Sequence, residues 1–448
     1  MSSFVRVPPV LRRVVPVIVL IALLWYFTHS GKEYTDRVVT KMRDKKTVFL
    51  ETFMENDIGP PVNGSGIAHV CSQKPRNTAL VFSCDTSKGG FASVRQHQLQ
   101  CIRLGIESGA SKIVLSNIVK RKDTDFLVLN RRASAPSNGV PLDYMLDYHH
   151  AHSMLSTLCP QIDLHSNLGE LHDVPSLLTP VDITVTDDDL DGDHILEDLG
   201  KWEPGLWKQI DEASPRETRH YPVRVRLLNS TSFFPVYADG SETAREFASL
   251  IRPRPDARRL AGSALFALSQ RYNIDIDPHS NPSDKYDFVG VHLRIEKDSK
   301  DNFPDYVSQA GVAVDYISRT NTGVVFLGTG GSGADVENFK ARAADYGVTV
   351  VTKHDLLEGD DAMDLWRMTY DQKALVDFEI LKRAGLMVGQ SWSRFSWDLA
   401  MARAAAYGDK PAPKVPAPTG LVSWDDGFTV LVGTLKTNRR TAVETVWP

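Results

Sequence analysis

Phe288-Val-Gly-Val-His-Leu-Arg-Ile-Glu-Lys-Asp298 passes from an apolar run into alternating charged residues. The apolar part predicts a strand over Phe288–Leu293. Alternation places His292, Arg294 and Glu296 on one side of its end. A planar guanidinium fork there grips a diphosphate and stabilises a negative leaving group, whereas an exposed, salt-bridged strand end is the competing structural reading.

Downstream, Gly323-Val-Val-Phe-Leu327 reads as a second strand running into the glycine loop 328–333. Val336, Phe339 and Ala343 share a helical face, Val348-Thr-Val-Val351 is a third strand, and Leu386-Met-Val388 a fourth after the helical positions Ala374, Phe378 and Leu381. Upstream, the strand Ala79–Cys84, the loop Asp85–Gly90, a helix carrying Leu99, Ile102 and Ile106, and the strand Lys112–Ser116 make a β-α-β unit over 79–116. Strands alternating with helices predict doubly wound α/β sheets whose ligands sit at the carboxyl ends of the strands. The middle, about 125–275, is rich in turns and proline, with short strand candidates at Val181–Val185 and Val223–Leu227 and no legible topology.

At 448 residues the chain accommodates two or three domains of roughly 100–200 residues each. Its 42% hydrophobic and 24% charged residues exclude a mostly disordered, collagenous or polytopic membrane protein. A net charge of −5 argues against a general nucleic-acid binder. Cys71, Cys84, Cys101 and Cys159 lack the paired CxxC spacing of a zinc site; they are either buried thiols or paired in one of three ways.

Val14–Phe27 is an apolar run of fourteen residues, extended by Val10 and Leu11 if Arg12 and Arg13 snorkel. Trp25, Tyr26 and Phe27 stand at its exit and no small-residue cleavage pattern follows. Arg6, Arg12 and Arg13 precede the run, so the expected topology is a single-pass type II signal anchor in the endoplasmic reticulum or Golgi membrane with a lumenal body, with a cleaved signal peptide or a core segment as the alternatives. The sequons Asn63-Gly-Ser65 and Asn229-Ser-Thr231 agree with that placement. The expected organisation is a tail and anchor over 1–30, a stem over 31–76, an N-terminal Rossmann-like domain over 77–280 and a C-terminal one over 281–448.

Gly328-Thr-Gly-Gly-Ser-Gly333 matches GxGxxG between a strand and a helix, and three readings compete: a loop against some other nucleotide, a plain tight turn, or a NAD(P) fingerprint serving an oxidoreductase. Gly389-Gln-Ser-Trp-Ser393 lacks the second glycine of a nucleophile elbow, but its hydroxyls and a helix start suit anionic oxygens. Asp187–Asp198 imitates a calcium loop with Asp in place of the bidentate Glu, or a metal-holding DxD; a solvated acidic turn is the favoured reading. His149, His150 and His152 have no spacing that fixes a coordination geometry.

Gly89-Gly-Phe91 with Arg95, His292-Leu-Arg-Ile-Glu-Lys-Asp298, Phe326-Leu-Gly-Thr-Gly330, and Asp377-Phe-Glu-Ile-Leu through Phe395-Ser-Trp397 together resemble the O-fucosyltransferase family that uses GDP-fucose, especially its plant and fungal branches. The resemblance is collinear over about 79–116 and 285–405. It implies two Rossmann-like domains in the GT-B arrangement and an inverting, metal-independent transfer of fucose to a protein or glycan hydroxyl, with GDP-fucose as donor and no cofactor. Arg294 would pair with the diphosphate and His292 orient the donor. Ser393, Phe395 and Ser396 would line the nucleotide pocket, Thr329-Gly330 would approach the base or ribose, and Gly89, Gly90, Phe91 and Arg95 would border the donor. Asp85 and Glu296 are the candidates for deprotonating the acceptor, with an ion-pair role equally open to Glu296. Ala92 and Ser93 replace asparagines often found in the family at that turn. A non-catalytic glycan-binding protein of the same fold is the remaining alternative.

Overall fold

The computed structural model describes residues 45–121, 139–171, 174–186, 189–228, 233–279, 288–296, 303–408, 415–416, 418, 420–435 and 439–448. The anchor Val14–Phe27, the sequon at Asn229 and Lys297-Asp298 lie outside them. The chain divides into two compact units, Met1–Thr52 and Phe53–Pro448. Of the first, residues 45–52 are described and are helical. No helix among the described residues is long and apolar enough to cross a membrane.

The second unit begins with α1 (Ser65–Ser72), β1 (Asn77–Cys84), α2 (Phe91–Glu107), β2 (Ala110–Val114), α3 (Tyr148–Leu158), β3 (Asp163–His165), β4 (Val181–Ile183), α4 (Leu199–Ala213), β5 (Val223–Leu227), α5 (Ser241–Ser249) and α6 (Pro255–Tyr272). Its five strands form a wholly parallel sheet in the order β3-β2-β1-β5-β4, with Leu80 opposite Val223 and Phe82 opposite Ile113. The described part of the middle segment holds the four helices α3 to α6 besides β3, β4 and β5. In α4 the sequence signal is masked by Pro204 and Gly205, although Trp202, Leu206 and Ile210 recur at every fourth position and are all buried. The cysteines pair as Cys71–Cys159, tying α1 to the end of α3, and Cys84–Cys101, tying the end of β1 to α2.

The remainder runs β6 (Val289–Leu293), α7 (Tyr306–Ser318), β7 (Val324–Thr329), α8 (Gly333–Ala344), β8 (Thr349–Val351), α9 (Lys353–Leu356), α10 (Gly359–Arg367), α11 (Tyr370–Lys382), β9 (Leu386–Gln390), α12 (Arg394–Tyr407), β10 (Val422–Asp425), β11 (Thr429–Val432) and α13 (Arg439–Glu444). The second sheet, β10-β11-β9-β6-β7-β8, is parallel except for its edge strand β10. Every residue of β6 is buried because helices cover both faces, which is why its sequence is apolar apart from His292. Val289, Val291, Val325 and Val388 meet Ala313, Ile317 and Phe339 of α7 and α8 in one core. Thr329 ends β7 instead of opening the loop, and α8 starts at Gly333 behind a Ser332/Asp335 capping box.

The 88-residue separation of Cys71–Cys159 restricts the unfolded chain more than the 17-residue separation of Cys84–Cys101. The chain-entropy argument gives about 4.6 against about 3 kcal/mol. The double variant Cys71→Ala/Cys159→Ala is therefore expected to unfold at lower urea than Cys84→Ala/Cys101→Ala, as followed by circular dichroism.

Candidate functional site

After β8 the chain returns to place β9 on the other side of β6, so the order of the second sheet reverses between β6 and β9. In the first sheet the reversal falls between β1 and β5. Diverging connections at such points open a crevice beyond the carboxyl ends of the strands. Residues at or beyond the ends of β1, β6 and β9 line one cleft of ≈ 800 Å³: Gly90 to Ser93, then His292, Arg294 and Glu296, then Ser393 to Phe395.

Arg294 sits at the mouth of β6 with its side chain 17% exposed and its Nη1 paired with Glu296 Oε2. Its backbone is clamped: the Arg294 N–H donates to Gln309 Oε1 at 2.9 Å, and Gln309 Nε2 donates to the Arg294 carbonyl at 2.8 Å. Glu296 Oε1 accepts from the Gly330 N–H and from the Tyr370 hydroxyl, both at 2.9 Å. A Cβ at position 330 would lie 2.8 Å from Glu296 Oε1 and overlap the Tyr370 ring, so glycine is required for this approach. Burial raises the Glu296 pKa, but Arg294, His292 and hydrogen bonds lower it by more, leaving it below the usual carboxylate value. With both oxygens engaged, Glu296 is an anionic brace for the guanidinium.

His292 is 6% exposed, and burial pushes its pKa down to about 4. Its Nδ1 shares a 2.8 Å hydrogen bond with Ser396 Oγ, which also accepts the Gln390 N–H at 3.2 Å. This hydroxyl fixes the orientation of the ring over Ser396. The ring packs on Phe395 at 4.6 Å, and Phe378 links Phe395 (5.5 Å) to Phe91 (4.8 Å). Opposite, α2 starts at Gly90 with no side-chain cap among the described residues, and its first intrahelical bond runs from the Val94 N–H to the Gly90 carbonyl. Phe91, Ala92 and Ser93 thus present backbone N–H groups where the helix dipole is positive. Gly89 does not line the cleft; its φ of +101° turns the chain into this helix start.

The cleft wall carries six permanent cations, Arg121, Arg294, Lys340, Lys353, Lys373 and Arg394, against the four acids Glu296, Glu337, Asp355 and Asp377. That local excess stands within a chain of net charge −5 and focuses anions into the cleft. Asp377 Oδ2 accepts from Lys353 Nζ at 2.6 Å, while Oδ1 is buried with no hydrogen-bond partner among the described residues. Burial raises the Asp377 pKa to about 6 even against Lys353. The glycine loop before α8 differs: Gly330 N–H is spent on Glu296, Gly331 N–H donates to Thr329 Oγ1, and the α8 start is capped by Ser332 and Asp335. The uncapped donors therefore belong to α2 and not to the GxGxxG turn.

Of the residues expected from sequence, Gly90, Phe91, His292, Arg294, Glu296, Thr329, Gly330, Ser393 and Phe395 border the cleft. Ser396 is fully buried beneath His292. Arg95 faces elsewhere: its Nη1 pairs with Asp398 Oδ1 at 2.6 Å, and its other nitrogens donate to the carbonyls of Ala248, Ile251 and Pro448. It stands one turn along α2 from Phe91, and its long side chain is drawn to Asp398 of α12 instead of the cleft. Asp85 also lies off the cleft, its carbonyl held by His97 Nε2 at 2.9 Å. In the acidic turn, Asp191 and Asp193 pair with Arg440, and Asp198 caps α4. Among the described residues no group of three His, Cys, Asp or Glu is arranged to hold a metal ion. Sequence reading missed Lys353, two residues beyond β8 where the strand-end rule would have found it, and Tyr370, which opens α11 within the Thr369/Gln372 capping box. Arg121 offered no such signal.

No protein-family model matches the chain, and no curated protein does. Among solved structures it is similar to POFUT1 in complex with GDP, at 12% identity and a TM-score of 0.38, over 74% of this chain and 97% of that one. It is also similar to a mutant of FUT1 from Arabidopsis thaliana in complex with GDP, at 12% identity and a TM-score of 0.35, over 82% of this chain and 76% of that one. Likeness at this level says what the chain is similar to and leaves its chemistry to the cleft residues.

The folded pKa of His292, about 4, lies below the ordinary 6.5, so between these values the unfolded chain binds the proton first and stability falls as pH drops from about 6.5 toward 4. Comparing His292→Gln with wild type by thermal unfolding across that window should show a flatter pH dependence in the variant.

Proposed function

We propose that the chain is a GT-B-type glycosyltransferase that moves fucose from GDP-fucose to a protein or glycan hydroxyl, with inversion and without a metal. The observation that carries this reading is Arg294, aimed into a net-cationic cleft that is also bordered by the uncapped start of α2. When a nucleotide sugar loses its diphosphate, negative charge grows on the departing oxygens, and preorganised cations and N–H groups stabilise that charge without having to reorganise. Arg294 serves the diphosphate as a fork held by Glu296, the α2 N–H groups provide further donors, and neutral His292, held by Ser396, orients the donor. Asp377 supplies an acceptor matched to the N1–H and exocyclic N–H of guanine. The resemblance of His292–Asp298 to GDP-fucose-dependent enzymes narrows the sugar to fucose.

The same proposal places residues 77–280 and 281–448 as the acceptor-side and donor-side lobes, with Ser396 as a positioning residue under His292. Anchoring through Val14–Phe27 in the endoplasmic reticulum or Golgi membrane fits the two disulfides, since such bonds persist in oxidising compartments. The oxidoreductase reading is disfavoured because the N–H groups a dinucleotide would use in 328–333 are taken by Glu296, Thr329 and the Asp335 cap.

A panel of nucleotide sugars offered to the purified chain, read out as free nucleoside diphosphate, is expected to give release from GDP-fucose and not from UDP sugars, with EDTA without effect. Arg294→Ala should lower kcat by about 10²- to 10³-fold. Arg294→Lys keeps a cation beside Glu296 and controls for folding; turnover retained in both variants would overturn the mechanism.

Because Asp377 takes up its proton near pH 6, GDP affinity should weaken as pH falls through that value. In Asp377→Asn the inflection should vanish and binding should be weak throughout, measured by calorimetric titration.

A further inference from the structure

A second cavity of ≈ 640 Å³ lies behind the floor of the cleft, lined by residues 55–62 and by side chains of α2, α3, α5, α6, α11 and α12. Phe378 borders it while packing edge-on against Phe91 and Phe395, which face the cleft. Its lining combines apolar Pro61, Met154, Ala402 and Ala405 with the acids Glu55, Asp57 and Asp277 and the cations Arg245, Arg252, Arg258 and Lys382. Their partners are unevenly shared. Arg252 is matched by Asp147, and Arg95, also on the wall, by Asp398. Lys382 and Arg383 share Glu379, and Lys382 also meets Asp57. Arg258 is the third cation around those two carboxylates, which leaves the group with one positive charge in excess. It is 2% exposed, its Nη2 reaches only a carbonyl, that of Asn56 at 3.3 Å, and its Nη1 has no hydrogen-bond partner among the described residues.

An unmatched buried guanidinium is costly unless an anion completes it. From this juxtaposition we infer that the second cavity is a binding site for a small molecule carrying a phosphate or sulfate on an apolar or ring body. The oxyanion sits against Arg258, with Arg245 at the rim, and the body lies along Ala402 and Ala405. The volume exceeds what a bare oxyanion fills, and the apolar wall has no use for one. The site is separate from the diphosphate position at Arg294, and its occupancy does not depend on the transferase reading.

The test is calorimetric titration of the purified full chain with phenyl phosphate and with phenyl sulfate, in saturating GDP so that the cleft is occupied. Saturable binding is expected, with the tighter of the two probes identifying the oxyanion. Arg258→Met should weaken it at least tenfold. Ala405→Phe, which fills the cavity without touching a charge, should do the same and stands in if the first variant fails to fold. Arg294→Ala should leave it intact. Absence of saturable binding in wild type, undiminished affinity in Ala405→Phe, or loss in Arg294→Ala would overturn the inference.

Discussion

The cleft depends on how one guanidinium is kept charged and fixed in place. Arg294 is mostly withdrawn from water, a position in which a cation needs an anion beside it. Glu296 provides that anion through one oxygen and ties its other oxygen to Gly330 and Tyr370. The brace thereby joins the ends of β6 and β7 to the start of α11, and the absent side chain at residue 330 is part of it. Leu293 Cα lies in register with Thr329, so the parallel pairing of β6 with β7 delivers both loops to the same place.

The second constraint is the distance between the two sheets. Arg95, expected at the ligand, instead binds Asp398 in the interior, and Gln96 donates to the same oxygen at 2.6 Å. Burial raises the Asp398 pKa, with Arg95 and Gln96 pulling it back. This links α2 to α12, the two helices whose first turns border the cleft. One helix thus presents backbone donors at its start and a structural cation one turn later. A position can be indispensable to a site from which its side chain is wholly turned away.

The strands at 79–84, 288–293, 324–327 and 386–388 were legible because buried parallel strands read as short apolar runs, and the strand-end rule then pointed to His292, Arg294 and Ser393. The middle of the chain was not legible. There α4 runs through Pro204-Gly205, and α3 is a short histidine-rich helix with only Ala151 and Leu155 buried. Side-chain direction was the other failure. Alternation correctly grouped His292, Arg294 and Glu296, but no local pattern announces that Arg95 finds its carboxylate more than three hundred residues later in Asp398. Cysteine pairing was likewise open to several solutions until the tertiary structure brought Cys84 beside Cys101.

That last bond bears on how the protein is made. Cys84 closes β1, Cys101 lies within α2, and the intervening turn includes Gly89 and Gly90, so a covalent clasp fixes the helix whose opening amides border the cleft. A ribosome-fresh polypeptide acquires such a clasp only where thiols are oxidised. Recombinant production in a bacterial cytoplasm would withhold it, leaving the amide-bearing wall held by weaker forces alone. Secretory hosts, or shuffling strains with an oxidising interior, are the settings in which that wall is built as drawn.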